Sequence, residues 1–230
     1  MEKIVVLSGA GVSAESGIPT FRGADGLWEG HDIMEVASPQ GWAKNPQLVL
    51  DFYNQRRRAA RTAKPNAGHR SLAELESHYE VVIITQNVDD LHERAGSSRV
   101  LHLHGQLSQA RSTADESLVY ELDGRDIHWG DTCAQGSQLR PNIVWFGEMV
   151  PMMEVAQRET AHADVLIVVG TSLQVYPAAG LLYEVQDNTP VYIIDPSTPD
   201  YTQRPTIRAI AEPASTGLPR LVKQLVRGVS

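Results

Sequence analysis

Lys3-Ile4-Val5-Val6-Leu7-Ser8-Gly9-Ala10-Gly11-Val12-Ser13-Ala14 joins a short aliphatic run to a G-x-G-x-x-A loop. An apolar run without polar alternation suits a strand covered on both faces, the environment of a parallel sheet. Small residues directly after it let a backbone approach a pyrophosphate, so Gly9, Ala10, Gly11 and Ser13 are candidate dinucleotide contacts. The hexapeptide by itself is weak evidence, because a tight strand-to-helix turn that holds no ligand is the other reading.

Outward from this segment, similar runs recur at Val81 to Ile84, Ile143 to Phe146, Val165 to Val169 and Val191 to Ile194. Helix signals lie between and after them. Asn45-Pro46 is a cap and first-turn pair, Leu72, Leu75 and Tyr79 recur at helical spacing, and Leu218, Leu221, Val222 and Leu225 form an apolar stripe before Gly228. Strands alternating with helices predict an α/β fold, a Rossmann-like doubly wound parallel sheet whose ligand crevice lies at the carboxyl ends of the strands. Each run is followed by glycine or polar residues: Gly9-Ala10-Gly11, Thr85-Gln86-Asn87, Gly147-Glu148, Gly170-Thr171-Ser172 and Asp195-Pro196. The rhythm breaks over 29–80, largely helical, and over 106–140, polar and irregular. The expected organisation is a large domain from 1–28, 81–105 and 141–230, with a smaller module from 29–80 and 106–140.

The loop does not lead into an ordinary nicotinamide dehydrogenase, which would place a second strand ending in an acidic residue ~20 residues on. The next clear strand begins at Val81, and Ser16-Gly17-Ile18-Pro19-Thr20-Phe21-Arg22-Gly23 intervenes, rich in turn formers and suggesting a flap. The bulk properties exclude other classes. With 42% hydrophobic and 21% charged residues the chain is expected to be a soluble globule. Its apolar runs fall far short of the ~20 residues of a membrane span. A formal charge of −8 argues against nucleic acid as a partner despite the local run Arg56-Arg57-Arg58. The lone Cys133 and the lack of an export-type leader make the cytoplasm the default location.

GAGVSAESGIPTFRG at 9–23, TQNVDDLHERAG at 85–96, LHGQ at 103–106, VWFGE at 144–148 and GTSLQVYPAAG at 170–180, taken in order, resemble the sirtuin family. The likeness extends to the bacterial subgroup with a Tyr-x-x-Arg acyl-recognition pair, here Tyr53 and Arg56. It implies a Rossmann-like domain, a smaller helical and zinc-ribbon domain, and a cleft where NAD and an acyl-lysine peptide meet. NAD is then a consumed co-substrate: an acyl group leaves a protein lysine, nicotinamide is released and O-acyl-ADP-ribose forms.

The resemblance assigns His104 as general base, with Asn87 also catalytic. An imidazole titrating near neutrality suits proton removal from a ribose hydroxyl. Spacing alone cannot separate His102 from His104, which share one face of a strand. The implied NAD contacts are Gly9, Ala10, Gly11, Ser13, Thr20, Phe21, Arg22, Trp28, Gln86, Asn87, Asp89, Gly170, Thr171 and Ser172, with Asp195 and Ala214 toward the adenosine. Ile193 stands where relatives often place a ribose-binding asparagine. Val144, Trp145, Phe146, Gly147 and Glu148 would offer an edge for strand addition by the substrate backbone. Tyr53 and Arg56, three apart on the helix expected from Pro46, share a face with Val49 and Ala60. A guanidinium gripping a carboxylate beside a phenol favours succinyl or malonyl over acetyl; the other reading of that face is a solvated basic surface.

The chain departs from the family at the ribbon. Relatives carry four cysteines in two pairs; here Cys133 is alone and Ser112 stands near the place of the first thiol. A tetrahedral site wants four nitrogen or sulfur ligands, so no zinc is expected, His128 and nearby aspartates notwithstanding. The module would hold by packing of Leu118, Tyr120, Leu122, Ile127 and Trp129, read as a hairpin around Asp123-Gly124. Two other functions share the residues: protein mono-ADP-ribosyl transfer, and an inactive module that senses NAD or acyl-lysine.

Overall fold

The computed structural model describes residues 1–20, 27–197 and 205–228. Strand β1 (Lys3–Ser8) lies near the middle of a six-stranded parallel sheet, and its side chains divide between two cores. Ile4 and Val6 pack on one face with Leu72, Leu75, Leu218 and Leu221. Val5 and Leu7 pack on the other with Ala156, Leu181 and Leu182. With both faces covered, the four central positions Ile4 to Leu7 are all apolar, hence the unbroken run.

After β1 the chain forms two short 3-10 turns, Ala10–Val12 and Ala14–Ser16, rather than the long helix of a dinucleotide fold, so no helix dipole is aimed at this loop. Strands β2 (Leu27–Trp28) and β3 (His31–Asp32) pair antiparallel through the two-residue turn Glu29-Gly30. Both turn residues have positive φ, 51° and 80°, as the tightest hairpins require. Helices α1 (Ile33–Val36), α2 (Pro39–Lys44) and α3 (Pro46–Thr62) follow. The Asn45 side chain caps α3 by accepting from the Leu48 N–H at 3.1 Å, and Pro46 occupies its first turn, as expected. Helix α4 (Ala67–Leu75) carries Leu72 and Leu75 into the core of the large sheet, so this end of 29–80 packs with the large domain.

Strand β4 (Glu80–Thr85) pairs in parallel with β1. Then come α5 (Leu91–Ala95), β5 (Val100–His102), β6 (Gly105–Ser112), β7 (Val119–Glu121), β8 (Leu139–Ile143), α6 (Met153–Ala161), β9 (Val165–Val169), β10 (Val191–Ile194), β11 (Ile207–Ile210) and α7 (Ala214–Arg227). The parallel sheet runs β11-β10-β9-β1-β4-β5, with the order reversing beside β1. That reversal is where an open α/β sheet forms its ligand crevice.

Three expectations are corrected. The run Ile143 to Phe146 is not a parallel strand: Ile143 ends β8, which belongs to an antiparallel sheet of order β7-β6-β8 in the small module. Two parallel strands went unread, β5 and β11; both are short and lie at the sheet edges, where only one neighbour enforces apolar character. Asp123 and Gly124 do turn with positive φ, 47° and 78°, but β7 pairs with β6 and not with the residues after the turn. Leu122 and Ile127 are buried with Leu50 and Ala110, whereas Trp129 is 61% exposed and packs no core. No helix among the described residues is long and apolar enough to cross a membrane.

Candidate active site

Two glycine loops cross at the floor of the rim. Gly9 N–H donates to Val169 O at 3.0 Å and Gly11 N–H to Gly170 O at 2.8 Å. A Cβ on Gly11 would lie 2.7 Å from the Gly170 Cα, and one on Gly170, whose φ is +62°, would lie 2.2 Å from the Val12 nitrogen. Much of the G-x-G signal is therefore explained by one backbone crossing another, which closes the ends of β1 and β9 together. Thr171 and Ser172 continue from this crossing, Ser172 exposed.

The end of β4 meets it from the other side. Gln86 donates from Nε2 to Thr171 Oγ1 at 3.1 Å. Asn87 donates from Nδ2 to Ser13 Oγ at 3.2 Å, and the Ser13 hydroxyl donates to Asp89 Oδ2 at 3.1 Å. Burial raises the carboxyl of Asp89 above its usual range, against the hydrogen bonds from Leu91 N–H and Ser13. The structure thus brings together Gly9, Ala10, Gly11, Ser13, Gln86, Asn87, Asp89, Gly170 and Thr171. Thr20 is the last described residue before 21–26; Phe21 and Arg22 lie outside the described residues. At the far end of the sheet, Asp195 follows β10 and accepts from Ser197 N–H at 2.8 Å, while Ala214 opens α7 and is buried.

Geometry separates the two histidines. His102 Nδ1 lies 3.0 Å from Asn87 O and Nε2 lies 2.7 Å from Glu93 Oε1. Both partners can only accept, so both ring nitrogens carry hydrogen; burial opposes the charge, but the Glu93 carboxylate prevails and raises the pKa. His104 Nδ1 lies 3.1 Å from Gln86 O, which assigns the hydrogen to Nδ1 and leaves the lone pair on Nε2. Burial lowers the His104 pKa, only partly offset by the Gln86 bond, so the ring is neutral at pH 7. Of the two, His104 keeps a lone pair on Nε2 and His102 is half of an ion pair.

On the small-module side, Tyr53 is fully buried and its hydroxyl accepts from Trp145 Nε1 at 3.2 Å. Burial pushes its phenol pKa up, so it remains a hydrogen-bond donor. Arg56 stacks on Phe52, its Cζ 3.2 Å from the ring centroid, and donates from NH1 to Phe52 O at 2.8 Å. Its Nε is buried without a hydrogen-bond partner. Trp28 packs on Phe52 and Tyr53 at 5.0 and 6.3 Å, which places it beside Tyr53 and Arg56. The basic run divides: Arg57 is 2% exposed and donates to Leu107 O and Asn54 Oδ1, whereas Arg58 is exposed and pairs with Asp126.

The stretch 144–148 differs from the expected open edge. The N–H groups of Val144, Trp145 and Phe146 are spent on His104 O, Glu148 Oε2 and Ala37 O. Glu148 also receives Arg140 at 2.7 Å and Arg111 at 3.2 Å, and these cations hold its pKa down although burial works the other way. Its carboxylate is thus a tie inside the protein. Arg111 and Arg140, both buried, were missed; only the tertiary fold reveals that these two cations face inward. Gly147 and the half-exposed Phe146 remain at the surface.

Residues 9–177 match the model of the Sir2 family, and this span contains the crossing glycines, the 86–89 loop and His104. The chain belongs to the Sir2 family. An NAD-dependent protein deacylase of Helicobacter pylori strain 26695 is 56% identical over 230 residues, covering all of both chains. One from Bacteroides thetaiotaomicron is 48% identical over 98% of this chain and 99% of its own length. Among solved structures, a Sir2 homologue in complex with NAD superposes with a TM-score of 0.89 at 43% identity, covering 99% of this chain and 91% of that one. A Sir2 complex with a p53 peptide and NAD+ superposes at 0.78 and 29% identity, over 99% and 94%. The Sir2 assignment confirms the parallel-sheet core that the sequence predicts. Among the described residues no group of three or more His, Cys, Asp or Glu side chains is arranged to hold a metal ion. In this Sir2 chain Cys133 is buried, and a hydrogen bond with Ser112 holds its thiol pKa down.

Proposed function

We propose that this Sir2 chain is an NAD-dependent protein lysine deacylase that works on acyl-lysine proteins in the cytoplasm and prefers acidic acyl groups, succinyl or malonyl, to acetyl. The observation that carries the reaction is the neutral His104 with its Nε2 lone pair at the rim of the sheet, beside donors and acceptors suited to a dinucleotide. NAD supplies the bond whose cleavage drives the reaction and leaves as nicotinamide and the O-acyl-ADP-ribose product. The residues of this chain bind and move protons. Gln86, Asn87, Asp89 and Ser13 orient ribose hydroxyls and the carboxamide, the glycine crossing admits the pyrophosphate backbone, and His104 takes the proton from a ribose hydroxyl. Asp195 and Ala214 are assigned to the adenosine end.

The acidic preference rests on Arg56. Its guanidinium is stacked, half-buried and carries a buried Nε–H without a partner, a donor a carboxylate can satisfy. Burial lowers its pKa to about 10, so it is charged at neutral pH. The test follows nicotinamide release on acetyl- and succinyl-lysine peptides of one sequence. Arg56→Met is expected to cut kcat/KM for the succinyl peptide roughly 10- to 100-fold, the worth of a charge-assisted bond, and to spare the acetyl peptide. Equal loss on both peptides removes the role.

We also propose that the ribbon holds without zinc, since one thiol, tied to Ser112, stands where a tetrahedral site needs four ligands. Metal analysis of the purified chain is expected to return no stoichiometric zinc; one tightly held ion per chain overturns this.

A further inference from the structure

The geometry points to Glu29 as an internal counter-carboxylate that closes the Arg56 fork and must be displaced by an acidic acyl group, so that Glu29 sets how strongly such substrates bind. The inference rests on the reading of Arg56 as the acyl-recognition cation and adds a residue to it. Glu29 Oε2 lies 3.3 Å from Arg56 NH2. NH1 is committed to Phe52 O and Nε is buried without a partner. A carboxylate that grips a guanidinium with two parallel bonds along the Nε and NH2 edge therefore meets one vacant donor and one that Glu29 already holds.

The turn does not account for a glutamate at this position. Glu29 is the first residue of the two-residue turn between β2 and β3, with φ at +51°, a conformation favoured by Asn, Asp or Gly. The side chain is retained in an unfavourable backbone setting while its carboxylate reaches a cation on another element.

The two partners are unequal. Arg56 is 14% exposed at its side chain, stacked on Phe52 and near Trp28, with one arm bonded to its own helix. Glu29 is 37% exposed on a turn, so it is the partner that swings away. An acetyl group, without a carboxylate, leaves the pair closed. A succinyl group substitutes its own carboxylate for that of Glu29 and gains the Nε bond as well.

The experiment measures kcat and KM of the full chain on acetyl- and succinyl-lysine peptides for wild type, Glu29→Gln, Glu29→Gly and Arg56→Met. Loss of a partly exposed, competing ion pair is expected to lower the succinyl KM about 3- to 5-fold in both Glu29 variants, with kcat and the acetyl KM unchanged. Glu29→Gly relieves the backbone strain, so it decides the matter if the glutamine variant folds poorly, as judged by its melting temperature. A succinyl KM that is unchanged or higher in the folded Glu29 variants, while Arg56→Met still loses the succinyl peptide selectively, overturns the role of Glu29 alone. If Arg56→Met treats both peptides alike, the acyl-recognition reading itself fails.

Discussion

The rim of the parallel sheet and the Arg56 face of helix α3 solve different problems with polar groups. At the rim, Ser13, Gln86, Asn87, Asp89 and His104 are held by one another and by strand-end carbonyls, with partners on elements that pack in the core. On α3, Arg56 has one firm bond to its own helix and one ion pair to a turn glutamate that is partly exposed. The first arrangement is preorganised, so protonation states are decided before substrate arrives. The second contains an exchangeable partner, which suits a site that must discriminate among ligands.

The largest expected effect breaks the comparison within the rim itself. His104→Ala should cut kcat by roughly 10²–10⁴-fold, the usual contribution of a positioned base. His102→Gln should leave kcat within a few-fold and instead lower the melting temperature, because it abandons Glu93. If the two variants lose equal activity, the distinction between base and ion pair is wrong.

A smaller effect sharpens the contrast through pH. Under the rim, His69 Nε2 lies 3.4 Å from Ser13 Oγ, and its Nδ1 accepts from Asn66 N–H. His92 Nε2 lies 2.9 Å from Ser8 Oγ. Burial lowers their pKa values to about 4 and about 3, with the neighbouring cations Arg70 and, for His92, the other histidines acting in the same direction. Each folded value lies below the unfolded value near 6.5, so the unfolded chain binds more protons in between. The stability these groups contribute is complete above pH 6.5 and is lost as pH falls toward 4 and 3, at up to about 1.4 kcal/mol per pH unit for each. His102, with a raised pKa, acts above 6.5 and has the opposite sign, its contribution fading as pH rises. Denaturant midpoints at pH 7, 6 and 5 should decline, and the double variant His69→Gln with His92→Gln should flatten the slope. A flat wild-type profile would mean that these rings are hydrated in solution.

Much of the site was legible because its signals are local. The apolar run before Gly9 must be apolar when both faces are covered, and the polar residues at strand ends must gather at one rim in a parallel sheet. The identity of the base was not legible from spacing. His102 and His104 are two apart, and only the partners Glu93 and Gln86, brought by α5 and the β4 end, give one ring two hydrogens and the other a lone pair. The stretch 144–148 shows the same limit: Trp145 is buried while Phe146 stays half-exposed, and its N–H groups are used by Ala37, His104 and Glu148, partners that no local pattern names.

By itself the sequence determined the α/β class, the helix capped at Asn45-Pro46, the glycine loop and the family motifs, since each depends on covalent neighbours or on a period within one element. The tertiary structure alone decided that β8 leaves the parallel sheet, that Trp28 sides with Arg56, that Arg57, Arg111 and Arg140 face inward, and that Glu29 meets Arg56. These are contacts between residues 8 to 50 positions apart or pairings between distant strands, and no local pattern encodes which distant partner desolvates a charge or neutralises it.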